Sequence, residues 1–432
     1  MAQPALTQGP LQLSLGRAVD IALQPEGSTR VALAEESIRL AEIRMAQAKS
    51  AFMPRIDGSF QGRNQTANLR TFGFEFPGST LPGGFTFPSL VGPFSVLDLR
   101  ASAQTPLLDF TIMRKYKASH TGIDAAKADR EVTRDEVANR VARAYLAALQ
   151  ADALLRSVQA NVELSQALLE TAQSQKDAGV GTGIEITRAQ VQLANDRQRL
   201  TVAENDRRRA VLQLLREMGL DLAMPVELTM VLAYMPVDMG AIETSLNQAR
   251  GKRAEVVAQR QHEQVARMNV SITQAERLPS VTAFGDYGTI GQPNLGLLPT
   301  RTIGVTLNVP LFDFGRRKER VADSLTQLRT EQIRTRDLQQ QVELEVRLAM
   351  ESLQSAASQV ETAREGLALA QNEVEQARRR YAAGVAIPLE VTDAQTRLDR
   401  ARGNQVSALY NHNLARLELA AATGNIQEFV HQ

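Results

Sequence analysis

The feature that most constrains this chain is an internal duplication. PLLDF at Pro106–Phe110 returns as PLFDF at Pro310–Phe314, and AGVGTGIEITRAQ from Ala178 returns as AGVAIPLEVTDAQ from Ala383. The first pair lies 204 residues apart and the second 205. So constant an offset makes the chain two copies of one structural unit. Aromatic residues repeat the message. Of 13 Phe, all but Phe429 fall between Phe52 and Phe110 or between Phe284 and Phe314, and the segments outside these windows are rich in Ala, Gln, Arg, Glu and Leu, a helical composition. Each half reads as a helix, two strands, a long helix, a turn and a second helix. The expected division is 1–219 for the first repeat, 220–240 for a linker and 241–432 for the second.

The long helices announce themselves by period. Val342, Val346, Ala349, Leu353, Ala356, Val360, Ala363, Leu367, Ala370, Val374, Ala377 and Tyr381 alternate spacings of four and three, a sustained heptad seam. The first-half mate runs Val137, Val141, Ala144, Ala148, Ala151, Leu155, Val158, Val162, Ser165, Leu169, Ala172 and Lys176. A helix from Arg316 to Tyr381 would extend roughly 100 Å at ~1.5 Å per residue. Alanine at alternate seam positions lets helices approach closely but buries little area per contact, so stability must accumulate along the rod.

The aromatic windows have period two, the mark of strands, expected over about 54–68, 94–108, 279–291 and 300–312. Ile56, Gly58, Phe60 and Gly62 alternate with Arg55, Asp57, Ser59 and Gln61. Leu97, Leu99, Ala101 and Ala103 alternate with Asp98, Arg100, Ser102 and Gln104. Ser280–Tyr287 follows the same rule, broken only by Phe284 on the polar face, and Thr302–Val309 follows it throughout. The Gly-, Pro- and Phe-rich stretch Leu69–Pro93 is expected to be a long loop, and Gly288–Pro299 a shorter one. Such strands fit a half-buried soluble sheet or a transmembrane barrel. Four strands leave two open edges, which lipid cannot satisfy, and the smallest usual membrane barrel has about eight strands. In a membrane this chain must share a barrel with copies of itself.

Composition removes other classes. The 49 basic and 48 acidic residues leave a net charge of +1, unlike a nucleic-acid binder with its basic excess. Cysteine is absent, so disulfides, thiolate metal sites and an N-terminal cysteine lipid anchor are excluded for this sequence. His120, His262, His412 and His431 form no metal pair. No Gly-rich phosphate loop, metal-ligand cluster or nucleophile–base motif occurs, and Asp109 and Asp313 read as junction residues. No enzyme and no cofactor are expected. No window holds the ~20 apolar residues of a spanning helix. The start, MAQPALTQGPLQLSLGRA, shows no signal peptide, so either the protein stays in the cytoplasm or a signal preceded this numbering.

From LSLGRAVDIAL at Leu13 to AAATGN near Asn425, with PLFDFG at Pro310–Gly315 and RRYAAGVAIPLEVTDAQTRL from Arg379, the chain resembles the outer-membrane efflux channels, TolC-like proteins. The resemblance implies a mainly α protomer that contributes strands to a membrane β-barrel. Three copies would form a twelve-stranded barrel in outer-membrane lipid, continued by a periplasmic α-helical barrel. It implies a passive exit duct of a tripartite efflux or type I secretion system, with a periplasmic adaptor (membrane fusion) protein and an inner-membrane transporter as partners. The rival reading is a periplasmic coiled-coil adaptor or scaffold, which also carries long hairpins.

The resemblance places the repeat turns Ala178–Ile184 and Ala383–Leu389 at the periplasmic tip, with Gly179, Val180, Gly384 and Val385 as adaptor contacts. The residues agree, since Ala-Gly-Val offers a glycine where a long helix stops and Pro388 suits a first helical turn. Family members narrow the closed tip with acidic residues just after the second turn, where Glu390 and Asp393 stand here. Three apart on a helix, they share a face, and threefold symmetry would make carboxylate rings of them. Glu390 fits a gate and a helix-start carboxylate equally, whereas Asp393 lies beyond capping reach and fits the gate. Glu185 belongs to a Thr182-x-x-Glu185 capping box. Tyr381 matches a residue that bonds a neighbouring helix in the family, with Glu185 as its expected partner. Ala386 stands where the best-known members carry arginine, so Arg188, repeat mate of Asp393, is the candidate for a replacement tip salt bridge.

Overall fold

In the computed structural model, the description covers residues 10–24, 27–72, 89–179, 181–236, 242–383 and 385–431. Helices occupy the seam-bearing segments and strands the alternating ones. In chain order the elements are β1 (Leu11–Leu13), α1 (Leu15–Leu23), α2 (Thr29–Ser50), β2 (Arg55–Asn68), β3 (Leu90–Leu108), α3 (Phe110–Asp177), α4 (Gly183–Met218), β4 (Val226–Leu228), α5 (Ile242–Lys252), α6 (Ala254–Ala275), β5 (Ser280–Gln292), β6 (Gly296–Asn308), α7 (Arg316–Ala382), α8 (Pro388–Thr423) and α9 (Ile426–Val430).

The chain forms two compact units, each drawing on both halves of the duplication. The first gathers Met1–Arg39, Asp124–Glu263 and Glu331–Gln432. Here the second seam is buried at every position except Ala363 and Leu367, which are half-buried. The first seam is looser. Val137, Val141, Ala148, Ser165, Leu169 and Ala172 are buried, the positions from Ala151 to Val162 are half-buried, and Lys176 is exposed one residue before α3 ends. A denser core surrounds the short parallel pair β1–β4, where Leu13, Val19, Leu214, Met218, Leu417 and Ile426 pack around Tyr145. The Tyr145 hydroxyl donates to the Leu13 carbonyl at 2.8 Å, so the one polar atom of that ring does not enter the core unpaired.

The second unit, Leu40–Ile123 and Gln264–Thr330, holds an antiparallel sheet in the order β2-β3-β5-β6. Its outer strands β2 and β6 each pair on one side only. The register brings the apolar residues onto one face: Phe60 opposite Leu99, Ala101 opposite Tyr287, Ala283 opposite Val305 and Val281 opposite Leu307. That face is bare, with Phe60 71%, Ile303 83% and Leu307 61% exposed. The other face carries Arg100, which pairs with Asp98 and Asp286. Phe284, the residue that broke the polar pattern, lies over Gly304 on the neighbouring strand, where an added Cβ would come within 2.6 Å of its ring. The missing side chain makes the room.

Two loop expectations need correction. Gly288–Pro299 is not a loop, because β5 and β6 continue their ladder to Gln292 opposite Gly296 and turn over 293–295. Turn-prone Gly and Pro in that stretch suggested an early break, but cross-strand pairing overrides local preference at a hairpin end. In Leu69–Pro93, residues 69–72 form a 3-10 turn and the strand resumes at Leu90, while the remainder, 73–88, lies outside the described residues. The fourth strand runs Gly296–Asn308, so the PLFDF motif follows the ladder and does not extend it. Asp109 and Asp313 are junction residues in fact. Asp109 Oδ1 accepts the N–H groups of Thr111 and Ile112 at 2.7 and 3.1 Å, and Asp313 Oδ2 accepts that of Arg317 at 3.0 Å. Each carboxylate thus satisfies helix-start donors that would otherwise lack partners.

Candidate functional site

The helix-turn-helix ends of the two repeats carry the residues of the candidate site. α3 stops at Asp177, and Gly179 follows with φ +76°, a left-handed conformation that costs glycine nothing and most residues about 1–2 kcal/mol. The Gly181 N–H then returns to the Gln175 carbonyl at 2.9 Å, closing the turn. Glu185 accepts the Thr182 backbone N–H at 2.9 Å, as the capping box requires. In the second repeat Val385 N–H reaches the Arg380 carbonyl at 3.0 Å, and α8 begins at Pro388. Val180 and Gly384 lie outside the described residues. Ile184, Val385 and Ile387 are respectively 60%, 70% and 63% exposed, leaving bare apolar groups at these turns.

Tyr381 is buried, and its hydroxyl donates to Oε1 of Gln175 on α3. The expected partner, Glu185, does not accept this bond. Its carboxylate is held at the start of its own helix, too committed to the cap to reach across. It acts on Tyr381 through space instead: burial first, and the Glu185 charge second, push the phenol pKa up. Around Tyr381, the residues Leu168, Ala172, Ile184, Arg188, Leu389 and Val391 line a cleft of about 380 Å³ with mostly apolar walls. Arg188 makes no ion pair among the described residues. The tip ion pair that does form is Arg380–Glu390, at 3.3 Å. Glu390 is therefore partly neutralised within its own chain. Asp393 is exposed one turn on, and the nearest guanidinium on its helix, Arg397, is forked onto Glu373 at 2.9 and 2.7 Å.

Above the cleft, side chains of three helices meet in a polar layer that the seam analysis did not resolve. Ser165 on α3 donates to Asp196 on α4, and Gln192 donates to the same carboxylate at 3.0 Å. Asn161 donates to Asp399 on α8, which also takes Arg199 at 2.9 Å, while Arg402 donates back to Asn161 at 2.7 Å. Asp196 is 3% exposed, so it depends on these donors. The signal was present in the sequence as Ser165, a hydroxyl inside a seam that is otherwise apolar until Lys176 at its end. A polar seam residue fixes the register of packed helices at some cost in stability.

No helix among the described residues is long and apolar enough to cross a membrane, a statement that does not concern barrel strands. Residues 22–220 and 245–425 match the family model of outer membrane efflux proteins, which covers most of both repeats. The chain belongs to the outer membrane efflux protein family. Among relatives of this family it is 24% identical over 309 residues to the pyoverdine export outer membrane protein OpmQ of Pseudomonas putida, covering 70% of this chain and 64% of that protein. It is 23% identical over 398 residues to the outer membrane efflux protein BepC of Brucella suis, covering 90% and 81%. The CmeC outer membrane channel of Campylobacter jejuni shares its fold, with a TM-score of 0.77 at 16% identity over 95% of this chain and 85% of that one. The chain thus spans less than two thirds of the Pseudomonas relative's length. As an outer membrane efflux protein it resides in the outer membrane.

Proposed function

We propose that three copies of this chain close one barrel in the outer membrane and extend a helical tunnel into the periplasm, forming a passive exit duct. The observation that carries this reading is a four-stranded sheet with two unpaired edges and a bare apolar face. In lipid each unpaired N–H or C=O costs several kcal/mol, roughly, so the edges demand partners. In water the same face would be a large exposed apolar patch. A coiled-coil adaptor has no use for it, which disfavours the rival reading. The protein is not an enzyme, and energy for transport comes from an inner-membrane transporter.

The turns around Gly179 and Val385 dock a periplasmic adaptor, and the exposed Ile184, Val385 and Ile387 suit burial against it. The tip is the gate. Asp393, with Glu390 partly compensated by Arg380, lines its narrowest part, and Tyr381–Gln175 ties the two hairpins of one copy together. Sizing in detergent paired with conductance in planar bilayers tests the duct. A trimer that conducts is expected. A monomer that stays dispersed in water without detergent, with no conductance, refutes it.

A further inference from the structure

The sheet uses one register twice. β2 meets β3 with Arg55 opposite Gln104, and β5 meets β6 with Ser280 opposite Asn308. In the duplication Met53-Pro54 answers Leu278-Pro279, 225 positions on, and Pro106 answers Pro310, 204 positions on. These offsets carry Arg55 onto Ser280 and Gln104 onto Asn308. The two hairpins therefore agree to the residue, and the duplication holds at the level of hydrogen-bond pairing.

The seam between β3 and β5 joins one repeat to the next inside a chain. A barrel built from several copies needs the same junction between β6 of one copy and β2 of the next. Strand directions already permit it, since every neighbouring pair in the sheet is antiparallel. Carried forward by the two offsets, Ser102 opposite Asp286 becomes Thr306 opposite Gln61, and Ala103 opposite Gly285 becomes Leu307 opposite Phe60. We propose that the edge strands β6 and β2 of neighbouring copies pair antiparallel in this register, with Thr306 facing the partner's Gln61 and Leu307 facing the partner's Phe60.

Two observations support the choice. The pairing keeps faces together, Leu307 and Phe60 both belonging to the bare apolar face, whereas a slip of one residue would set each against a polar group. Slips of two preserve faces, and here the polar side discriminates. Within the chain Arg100 stands opposite Gly288, where a Cβ would come within 2.7 Å of the arginine Cα. The proposed register sets the partner's Arg63 opposite Gly304, again an arginine facing a glycine. Arg63 has no carboxylate partner among the described residues, and the Phe284 ring lying over Gly304 offers its guanidinium a cation–π surface. A shift of two would face Arg63 with Thr302 or Thr306 instead.

The inference rests on the trimeric barrel, and its test separates the two. The chain has no cysteine, so introduced pairs report alone. Directly opposed residues fall within the ~4.4–6.8 Å Cα separation that a disulfide needs, and residues displaced by two do not. The full chain in outer membranes would carry Thr306→Cys with Gln61→Cys, or Thr306→Cys with Ser59→Cys or Arg63→Cys. After mild oxidation the Gln61 pair is expected to convert the monomer band to a reducible covalent trimer, leaving the displaced pairs as monomer. Leu307→Cys with Phe60→Cys, on the opposite face, must give the same trimer should the first pair impair assembly. Trimer from a displaced pair overturns the register, as does no crosslink from any pair in a protein that sizes as a trimer. No crosslink in a protein that sizes as a monomer overturns the barrel as well.

Discussion

Glu390 and Asp393 sit three residues apart on α8, yet their surroundings differ. Arg380 lies 3.3 Å from Glu390, whereas the guanidinium nearest Asp393 along its helix is already forked by Glu373. Asp393→Asn is therefore expected to reduce cation-over-anion selectivity in planar bilayers more than Glu390→Gln, measured by reversal potential. Arg188, without an ion partner among the described residues, lines the cleft beside Tyr381, and the proposed tip closure has it meet a carboxylate of a neighbouring copy. Arg188→Ala should raise basal conductance, and an unchanged conductance would remove it from the closure. His412 supplies a pH dependence. It is 1% exposed, its ring packs on Tyr234 at 4.7 Å, its Nδ1 has no hydrogen-bond partner among the described residues, and burial together with the Arg416 charge lowers its pKa from 6.5. Between the lowered folded value and the unfolded one the unfolded chain binds more protons, so stability falls as pH drops below about 6.5. His412→Phe should flatten the melting temperature across pH 7 to about 5 relative to the parent.

Helices here are held by many weak contacts and a few specific ones. Alanine-rich seams supply close approach, and the polar layer selects which turn of α3 meets which turn of α4 and α8. Removing one member should expose that dependence. Asp196→Ala leaves the buried Ser165 hydroxyl and the half-buried Gln192 amide without this acceptor, at an expected cost of about 1–3 kcal/mol in thermal melts. The double variant with Ser165→Ala should cost less than the sum of the single ones, because the orphaned hydroxyl is gone. Additive losses would mean that the two groups do not act as a unit.

For the whole molecule, the proposed barrel gives the two faces of the sheet different solvents. Ile303, 83% exposed on the apolar face, should face acyl chains, and its neighbour Thr302, on the other face, should face the lumen of the proposed barrel. Ile303→Arg is expected to cost about 2–4 kcal/mol per copy near the bilayer midplane and to deplete folded trimer from outer membranes. Thr302→Arg should assemble normally and shift selectivity away from cations. Equal tolerance of both substitutions would mean that the bare face is covered by protein and not by lipid.

Periodicity made much of this architecture legible in advance. The offset of the duplication, the heptad seams and the alternating strands appear as elements within a few residues of where they were expected, because each depends on local spacing. Even the incompleteness of the sheet followed from counting its strands. Partner choice did not follow. Tyr381 takes Gln175 because the cap has already claimed Glu185, and Glu390 takes Arg380 because the second turn folds the end of α7 back beside α8. Ser165 reads as an anomaly in a seam until Asp196 and Gln192 arrive from another helix. Spacing along a chain determines which faces exist. Which side chains meet across those faces depends on competition among several candidate partners, and only the packed structure resolves that competition.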